Sequence, residues 1–331
     1  MTSLPKVSIV ILTYNARSTL GEIFDKAVLS ALSQDYPNIE ILVVDNNSSD
    51  ETYEYVKTKY GSSVKAVKLP KNYGYCLGNN LAVKYASRDA KYLLFQNPDV
   101  ILAKDYVRKL VEMMEESRDV VAIQGLEVQP LKRVIRLGGL LNEGGYSVDL
   151  APRLSNNTPL RLEVLLVFGA AMLVRRKFFE ALGGFSPELF LYGDEADFGL
   201  RVRALGFKLI STPITSYLHV VSGTTGKLEE GPLLAYYFAN RNRLFLILRY
   251  FHGLHLLRAL VINGAIILLH LLTQRRPLLR RVLVRTILAP FKYLKRNVRV
   301  RRKYVGLIKK RKILERFVVK WPYSRWPPFR R

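Results

Sequence analysis

A single cysteine, Cys76, among 331 residues excludes a disulfide framework and any cysteine-based zinc site, and it fits a reducing compartment. Neither G-x-G-x-x-G nor G-x-x-x-x-G-K-[ST] occurs, so the dinucleotide fingerprint and the phosphate-cradling P-loop are both excluded. A long uncharged apolar run is missing too. Between Leu244 and Leu272 the apolar pattern is broken by Arg249, His252, His255, Arg258 and His270, and its uncharged core, Ala259 to Leu269, is shorter than a membrane span requires. Lys6 is followed almost at once by a strand pattern, so no secretory signal is expected. Acid is scarce at one end only. Residues 1–240 hold 27 Lys+Arg against 26 Asp+Glu, net +1, whereas residues 241–331 hold 25 against 1, net +24, which together give the net +25 of the chain. A neutral globular part therefore carries a basic tail suited to an anionic surface.

What is present is apolar and ordered into a repeating pattern. The 49% apolar content supports a substantial core. Val7 to Tyr14 is a nearly continuous β-branched run, the pattern of a parallel strand buried on both faces. Thr19 and Glu22 have capping-box spacing, followed by Leu20, Ile23, Phe24, Ala27 and Ala31 at helical intervals. A strand at Ile39 to Val44, a turn at Asp45 to Asp50, a helix start at Ser48 and Glu51, a strand at Val64 to Lys68, a helix at Gly78 to Ser87 and a strand at Lys91 to Phe95 continue the series. This alternation predicts an α/β, doubly wound, mainly parallel sheet with helices on both faces.

Ligands of such sheets sit beyond the carboxyl ends of the strands. There the chain places Thr13, Tyr14 and Asn15, then Asp45 and Asn47, then Lys71, Asn72, Gly74 and Asn79, then Asn97, Pro98 and Asp99. Asp45 suits a base imide or ribose hydroxyl, Tyr14 offers an aromatic face, and Asp99 is a hard oxygen donor for Mg²⁺ or Mn²⁺. A nucleoside diphosphate with a metal ion satisfies all three. Further on, a buried strand from Gly169 to Val174, a short helix from Arg175 to Leu182 and a Gly183-Gly184-Phe185 stop lead to Asp194, Glu195 and Asp197 at a helix start. Two readings stay open for these acids: helix-terminus residues with Asp197 paired to Arg201 on a solvated face, or a positioned general base.

Taken in order, the motifs at Val7 to Asn15, Val43 to Asp50, Asn72 to Tyr75, Asn97 to Asp99, Gly183 to Phe185, the acidic cluster with Arg201, His219, and Arg241-Asn242-Arg243 resemble glycosyltransferase family 2, inverting enzymes of the GT-A fold, and its rhamnosyltransferase-type members most of all. The resemblance covers about Val7 to Leu244. It implies that Thr13, Tyr14, Asn15, Asp45 and Asn47 hold the nucleoside, that Lys71, Asn72 and Asn79 lie along the ribose and diphosphate, and that Asn97 and Asp99 occupy the place of the family's Asp-x-Asp metal motif. Asn97 replaces the first Asp of that motif, leaving Asp99 as the metal ligand with His219 near it. The family's Glu-Asp pair reads Asp194-Glu195 here. Alignment puts Glu195 at the base position, the inverted order leaves Asp194 as the alternative, and Asp197 with Arg201 supports the helix.

The function so implied is metal-dependent, inverting transfer of a sugar from a nucleoside diphosphate, uridine or thymidine ahead of guanosine, to a lipid-linked or cell-surface glycan. Residues 1–243 form the catalytic domain, with a nucleotide half to about residue 124 and an acceptor half from 125, and residues 244–331 a basic helical region. The Gly- and Pro-punctuated stretch from Gln124 to Glu163 suggests a flap over the acceptor side. The tail mixes basic and apolar residues and ends with Trp321, Tyr323, Trp326 and Phe329, which suits a peripheral or monotopic position on the cytoplasmic side of the cell membrane, with a tilted, charge-interrupted span through Leu244 to Leu272 left open as the alternative. A nucleic-acid-binding protein and a sugar-phosphate nucleotidyltransferase are the competing classes; no RNP, zinc or helix-turn-helix pattern supports the first, so no nucleic acid is expected, and the acidic cluster has no use in the second.

Overall fold

The computed structural model describes residues 4–150, 158–220, 231–273 and 276–320. The strands are β1 Val7–Thr13, β2 Ile39–Asp45, β3 Lys65–Lys68, β4 Tyr92–Gln96, β5 Val100–Leu102, β6 Val120–Gln129, β7 Val134–Arg136, β8 Gly139–Asn142, β9 Ser147–Asp149, β10 Leu162–Glu163, β11 Ala171–Arg175, β12 Lys208–His219 and β13 Val318–Val319. The helices are α1 Ala16–Leu20, α2 Glu22–Leu32, α3 Thr52–Tyr60, α4 Gly74–Ala82, α5 Tyr106–Glu115, α6 Arg176–Ala181, α7 Asp194–Ala204, α8 Gly231–Tyr250, α9 Gly253–Thr273, α10 Pro277–Lys292, α11 Leu294–Lys310 and α12 Ile313–Phe317.

The main sheet runs β10-β12-β6-β11-β4-β1-β2-β3, with β5 on β12 and β7 on β6. β1 pairs in parallel with β2 and β4, and β2 with β3, whereas β11 runs antiparallel between β4 and β6. The continuous apolar runs of β1 and β4 follow from this position, because Ile9, Ile11 and Leu94 face one core while Val10, Leu93 and Phe95 face the other. The first core takes Phe24 and Val28 of α2 and Leu110 of α5, and the second packs Phe179 and Phe185 against Phe95, with Phe198 against both of them. Each such buried ring contributes about 1.5–3 kcal/mol of transfer free energy.

Two expected helix starts differ. Thr19 lies inside α1 and donates to its own Asn15 carbonyl at 2.6 Å, so Gly21 begins α2 without a side-chain cap. Ser48 turns inward to Asp45, and Asp50 instead receives the Thr52 amide at 3.2 Å at the start of α3. The Thr19 hydroxyl is taken by a backbone carbonyl within its own helix and the Ser48 hydroxyl by the Asp45 carboxylate, so neither is free to cap the next helix.

A third core joins the tail to the body. Leu200 of α7 packs with Ile247 and Tyr250 of α8, Tyr304 and Ile308 of α11, and Leu314 and Phe317 of α12. α8 continues without a break through residues 243 and 244, where the charge composition changes. The 142–146 turn between β8 and β9 is also less loose than its glycines suggest: Asn142 is buried and its side-chain oxygen accepts the amides of Gly144 and Tyr146, both at 3.0 Å. Pro152, Asn156 and Asn157 of this stretch, and Trp321, Tyr323, Trp326 and Phe329 of the tail, lie outside the described residues.

Candidate active site

The parallel register aligns the strand ends into one polar edge. Thr13 pairs with Asp45, Asp45 with Lys68, and Gln96, which pairs with Ile11, faces Ala171 of the antiparallel β11 on its other side. The site therefore combines the carboxyl ends of four strands with the start of a fifth. Asp45 is buried and accepts the Ser48 amide at 3.1 Å as well as the Ser48 hydroxyl. Burial pushes its carboxyl up, and Ser48 pulls the other way. Asn15 adopts left-handed backbone (φ 51°), donates its amide to Ser48 at 2.8 Å and accepts from Ser49 at 2.9 Å, so it ties the first two strand ends together. Thr13 Oγ1 is buried beside Asp45 with no hydrogen-bond partner among the described residues. An orphaned hydroxyl there is what a polar ligand would satisfy.

The neighbouring residues divide into two groups. Asn47 is exposed in left-handed backbone, Lys71 is exposed with its ammonium over the Tyr73 ring, and Tyr14 is half-buried. Asn79, by contrast, is buried and donates to the Tyr75 carbonyl one turn back at 3.0 Å. Asn72 accepts the Gly74 amide at 2.8 Å and an amide hydrogen of Asn46 at 3.0 Å. The next two amides of α4 go to the Phe190 carbonyl, at 2.7 and 3.2 Å, so this helix start is already satisfied by protein.

Asp99 and His219 come together across 120 residues of chain. His219 Nε2 lies 3.4 Å from an Asp99 oxygen, and His219 Nδ1 lies 2.7 Å from Glu127. Antiparallel pairing of β5 with β12 sets this contact, with His219 opposite Val100. Glu127, fully buried on β6, is held by Arg136 at 2.7 and 3.0 Å and receives Gln129 at 2.7 Å. Burial alone would raise the Glu127 carboxyl, but His219 and Arg136 outweigh it and hold it at about 2. Burial would lower His219, yet Asp99 and Glu127 raise it to about 9. Glu127 and Arg136 were not singled out in the sequence. The one readable signal is a lone carboxylate, Glu127, in a mainly apolar stretch, where a charge needs a partner.

No group of three or more metal-ligating side chains occurs among the described residues. The donor set nevertheless suits a hard divalent cation: one carboxylate, one imidazole whose far nitrogen is fixed by a carboxylate, and remaining positions left for phosphate oxygens and water. Asn97, half-buried, binds the strand edge through its backbone, the amide donating to Ala170 at 2.8 Å.

The acidic cluster opens α7 after an unusual approach. Phe190 (φ 61°), Tyr192 (φ 65°) and Gly193 (φ 76°) all take left-handed backbone, which costs about 1–3 kcal/mol at each non-glycine position unless neighbours fix it. Asn242 supplies that fixation: its side-chain amide donates to the carbonyls of Leu189, Leu191 and Tyr192 at 2.9, 2.8 and 2.8 Å. Arg241 adds bonds to the carbonyls of Glu188 and Leu189 at 2.6 and 2.9 Å. Asn80 grips the Gly-Gly-Phe turn by exchanging two bonds with Phe185, at 2.8 and 2.9 Å.

The three acids then occupy different environments. Asp197 is fully buried and accepts from Ser186, Arg201, Arg249 and Tyr250 at 2.7, 2.9, 3.2 and 2.7 Å. The Asp197–Arg201 pair lies in the interior, not on a solvated face. Burial would raise the Asp197 carboxyl, but Arg201 and Arg249 hold it below the usual carboxylate range. Asp194 is 4% exposed, and one of its oxygens has no hydrogen-bond partner among the described residues. Burial and then Glu195 push its carboxyl well up. Glu195 is the partly accessible one. It lies 3.4 Å from the Gly169 amide nitrogen, where β11 meets the strand-end edge, and burial raises its carboxyl. A cavity of about 410 Å³ lined by Glu163, Arg203, Lys310, Arg311 and Arg316 includes none of these groups.

The family model described as glycosyl transferase family 2 matches residues 8–183. The chain is 28% identical over 226 residues, 65% of its length, to the O-antigen biosynthesis protein RfbC of Myxococcus xanthus, but spans only 17% of that protein. It is 31% identical over 116 residues, 34% of its length and 42% of the relative's, to the UDP-Glc:alpha-D-GlcNAc-diphosphoundecaprenol beta-1,3-glucosyltransferase WfaP of Escherichia coli. Among solved structures, GalNAc-T7 with UDP, GalNAc and Mn²⁺ superposes with a TM-score of 0.58 at 13% identity, over 96% of this chain and 59% of that one.

Proposed function

The chain belongs to glycosyl transferase family 2, has the GT-A fold and is a glycosyltransferase, and on that premise we propose that it transfers a sugar from a nucleoside diphosphate to a lipid-linked or cell-surface glycan with inversion, using Mg²⁺ or Mn²⁺. The observation that carries this reading is the meeting of Glu195 with the start of β11, on the strand-end edge that also bears Asp45, Thr13 and the Asp99–His219 pair. UDP and Mn²⁺ in GalNAc-T7, and the diphosphoundecaprenol acceptor in the name of WfaP, support the substrate classes.

Thr13, Asn15 and Asp45 hold the nucleoside, with Tyr14 and Asn47 beside the base and Lys71 and Asn72 at the mouth. Asn79 shapes α4 from within. Asp99 and His219 Nε2 would hold the metal, whose chemistry is to neutralise the diphosphate leaving group. Glu195 accepts the proton of the acceptor hydroxyl as that oxygen attacks the anomeric carbon from the face opposite the diphosphate. Its raised proton affinity suits a base better than an ordinary surface carboxylate would. Asp194, enclosed and close to Glu195, keeps the pair from both ionising freely, and Asp197 with Arg201 fixes the start of α7. No covalent sugar–protein bond is required.

The basic tail and the exposed apolar side chains of α9 and α10 support a position on the cytoplasmic face of a membrane, beside lipid-linked acceptors. Binding of UDP-, dTDP- and GDP-sugars with and without Mn²⁺ tests the donor reading. Metal-dependent binding that Asp99→Asn abolishes supports it, and absence of binding for every nucleotide under either metal contradicts it.

A further inference from the structure

α9 is long and apolar enough to cross a membrane: its 21 residues reach past the Arg258 that interrupts the sequence pattern. At a rise of 1.5 Å per residue it measures about 31 Å, close to the hydrocarbon thickness of a bilayer. Its contacts, however, run along its whole length. Near the start Arg258 meets Glu143 at 2.6 Å. Asn263, the middle residue, accepts from Arg243 at 2.8 Å and donates to the Gly144 carbonyl at 2.9 Å and the Ala259 carbonyl at 2.8 Å. Near the end His270 lies 3.0 Å from the Tyr236 hydroxyl of α8. Arg243 in turn covers the Tyr146 ring at 3.7 Å. A crossing helix would put Asn263 at the bilayer centre and carry Arg243, the Arg258–Glu143 pair and the 142–146 turn into hydrocarbon with it, at several kcal/mol for each charge.

The opposite side of α9 is apolar and open. Leu257, Val261, Leu268 and Leu272 are 59%, 62%, 57% and 76% exposed, and Leu288 and Phe291 of α10 are 58% and 71% exposed. The flanking charge is nearly all of one sign, net +24 over residues 241–331. An apolar stripe beside a dense cationic field matches the boundary between headgroups and acyl chains of an anionic leaflet. Resting on the membrane reading above, we propose that α9 lies in the plane of an anionic bilayer surface and does not cross it. The 142–146 turn, fastened to the inner side of α9, is thereby held at headgroup level, on the acceptor half of the catalytic domain.

The test uses the full chain with vesicles of phosphatidylcholine containing about one-third phosphatidylglycerol, an anionic fraction chosen to engage the cationic field. Single cysteines replace Leu257, Val261, Leu268 and Leu272 in turn and carry an environment-sensitive fluorophore, the native Cys76 being fully buried. Quenching is compared for lipids spin-labelled near the headgroup and at mid-chain, alongside co-sedimentation. The in-plane arrangement gives shallow quenching at all four positions, alike within about twofold. Deepest quenching at Val261 with shallow quenching at Leu272 reveals a span and overturns the proposal, while leaving membrane association standing. No co-sedimentation and no fluorescence response at any position overturns both. A Val261→Asp/Leu268→Asp double variant with an unchanged circular dichroism melt is expected to lose vesicle binding about tenfold or more.

Discussion

Burial separates three acids that adjacent sequence positions left equivalent. Asp197 is consumed by two arginines and two hydroxyls, Asp194 is enclosed without full pairing, and Glu195 alone combines partial access with a raised proton affinity. A base works only when ionised, so donor turnover is expected to fall as pH drops through the raised Glu195 pKa, above the ordinary value of 4.5, while donor affinity stays level. Asp194 makes an opposite signature in stability. Its folded pKa lies above the unfolded value of 3.8, so its stabilising contribution is present below that value and is lost as pH rises. Asp194→Asn should therefore raise the melting temperature at neutral pH, a gain that vanishes near pH 3 to 4, the unfolded aspartate range. Glu127→Gln is expected to weaken Mn²⁺ binding about 10–100-fold in the presence of nucleotide, read by the Mn²⁺ resonance signal, because it releases the His219 ring from its carboxylate. The candidate ligands Asp99 and His219 were legible in the chain order, whereas Glu127 and Arg136 were not, since only the fold brings β6 beside β12.

At the level of helices and strands, local periodicity exposed most of the architecture because β1, β2 and β4 are largely buried on both faces and read as nearly continuous apolar runs. The antiparallel insertion of β11 was not readable, because strand direction depends on partners that are remote in sequence. Nor was the origin of the α7 approach, in which Phe190 and Tyr192 take backbone that their side chains disfavour and Asn242 holds them from a helix fifty residues away. Asn242→Ala leaves three carbonyls without that donor and is expected to cost about 1–3 kcal/mol of stability. If Asn242 acts by fixing the loop before Glu195, turnover should drop more than donor affinity. Equal losses in both would mark it as part of the general scaffold.

The basic tail changes meaning once its contacts are seen. Arg249 is fully buried between Asp197 and Glu188, and Arg296 of α11 reaches the other Glu188 oxygen at 2.8 Å, so tail cations neutralise acids on and just before α7. Charge counting alone assigned this whole region to an external surface, because a sum over residues does not distinguish inward from outward cations. Arg249→Met leaves two buried carboxylates short of a partner and is expected to cost about 3–5 kcal/mol, read as a loss of thermal stability. Removal of residues 244–331 strips Tyr250, Tyr304, Ile308 and Phe317 from the third core and should yield an aggregating or unfolded catalytic half. The most direct test of the account compares donor binding and turnover in Glu195→Gln with those of the wild-type chain. Glu195→Gln is predicted to bind the nucleotide sugar within about twofold of wild type and to lose turnover by about 10²-fold or more. Wild-type turnover in Glu195→Gln would contradict the assignment of this carboxylate as the base.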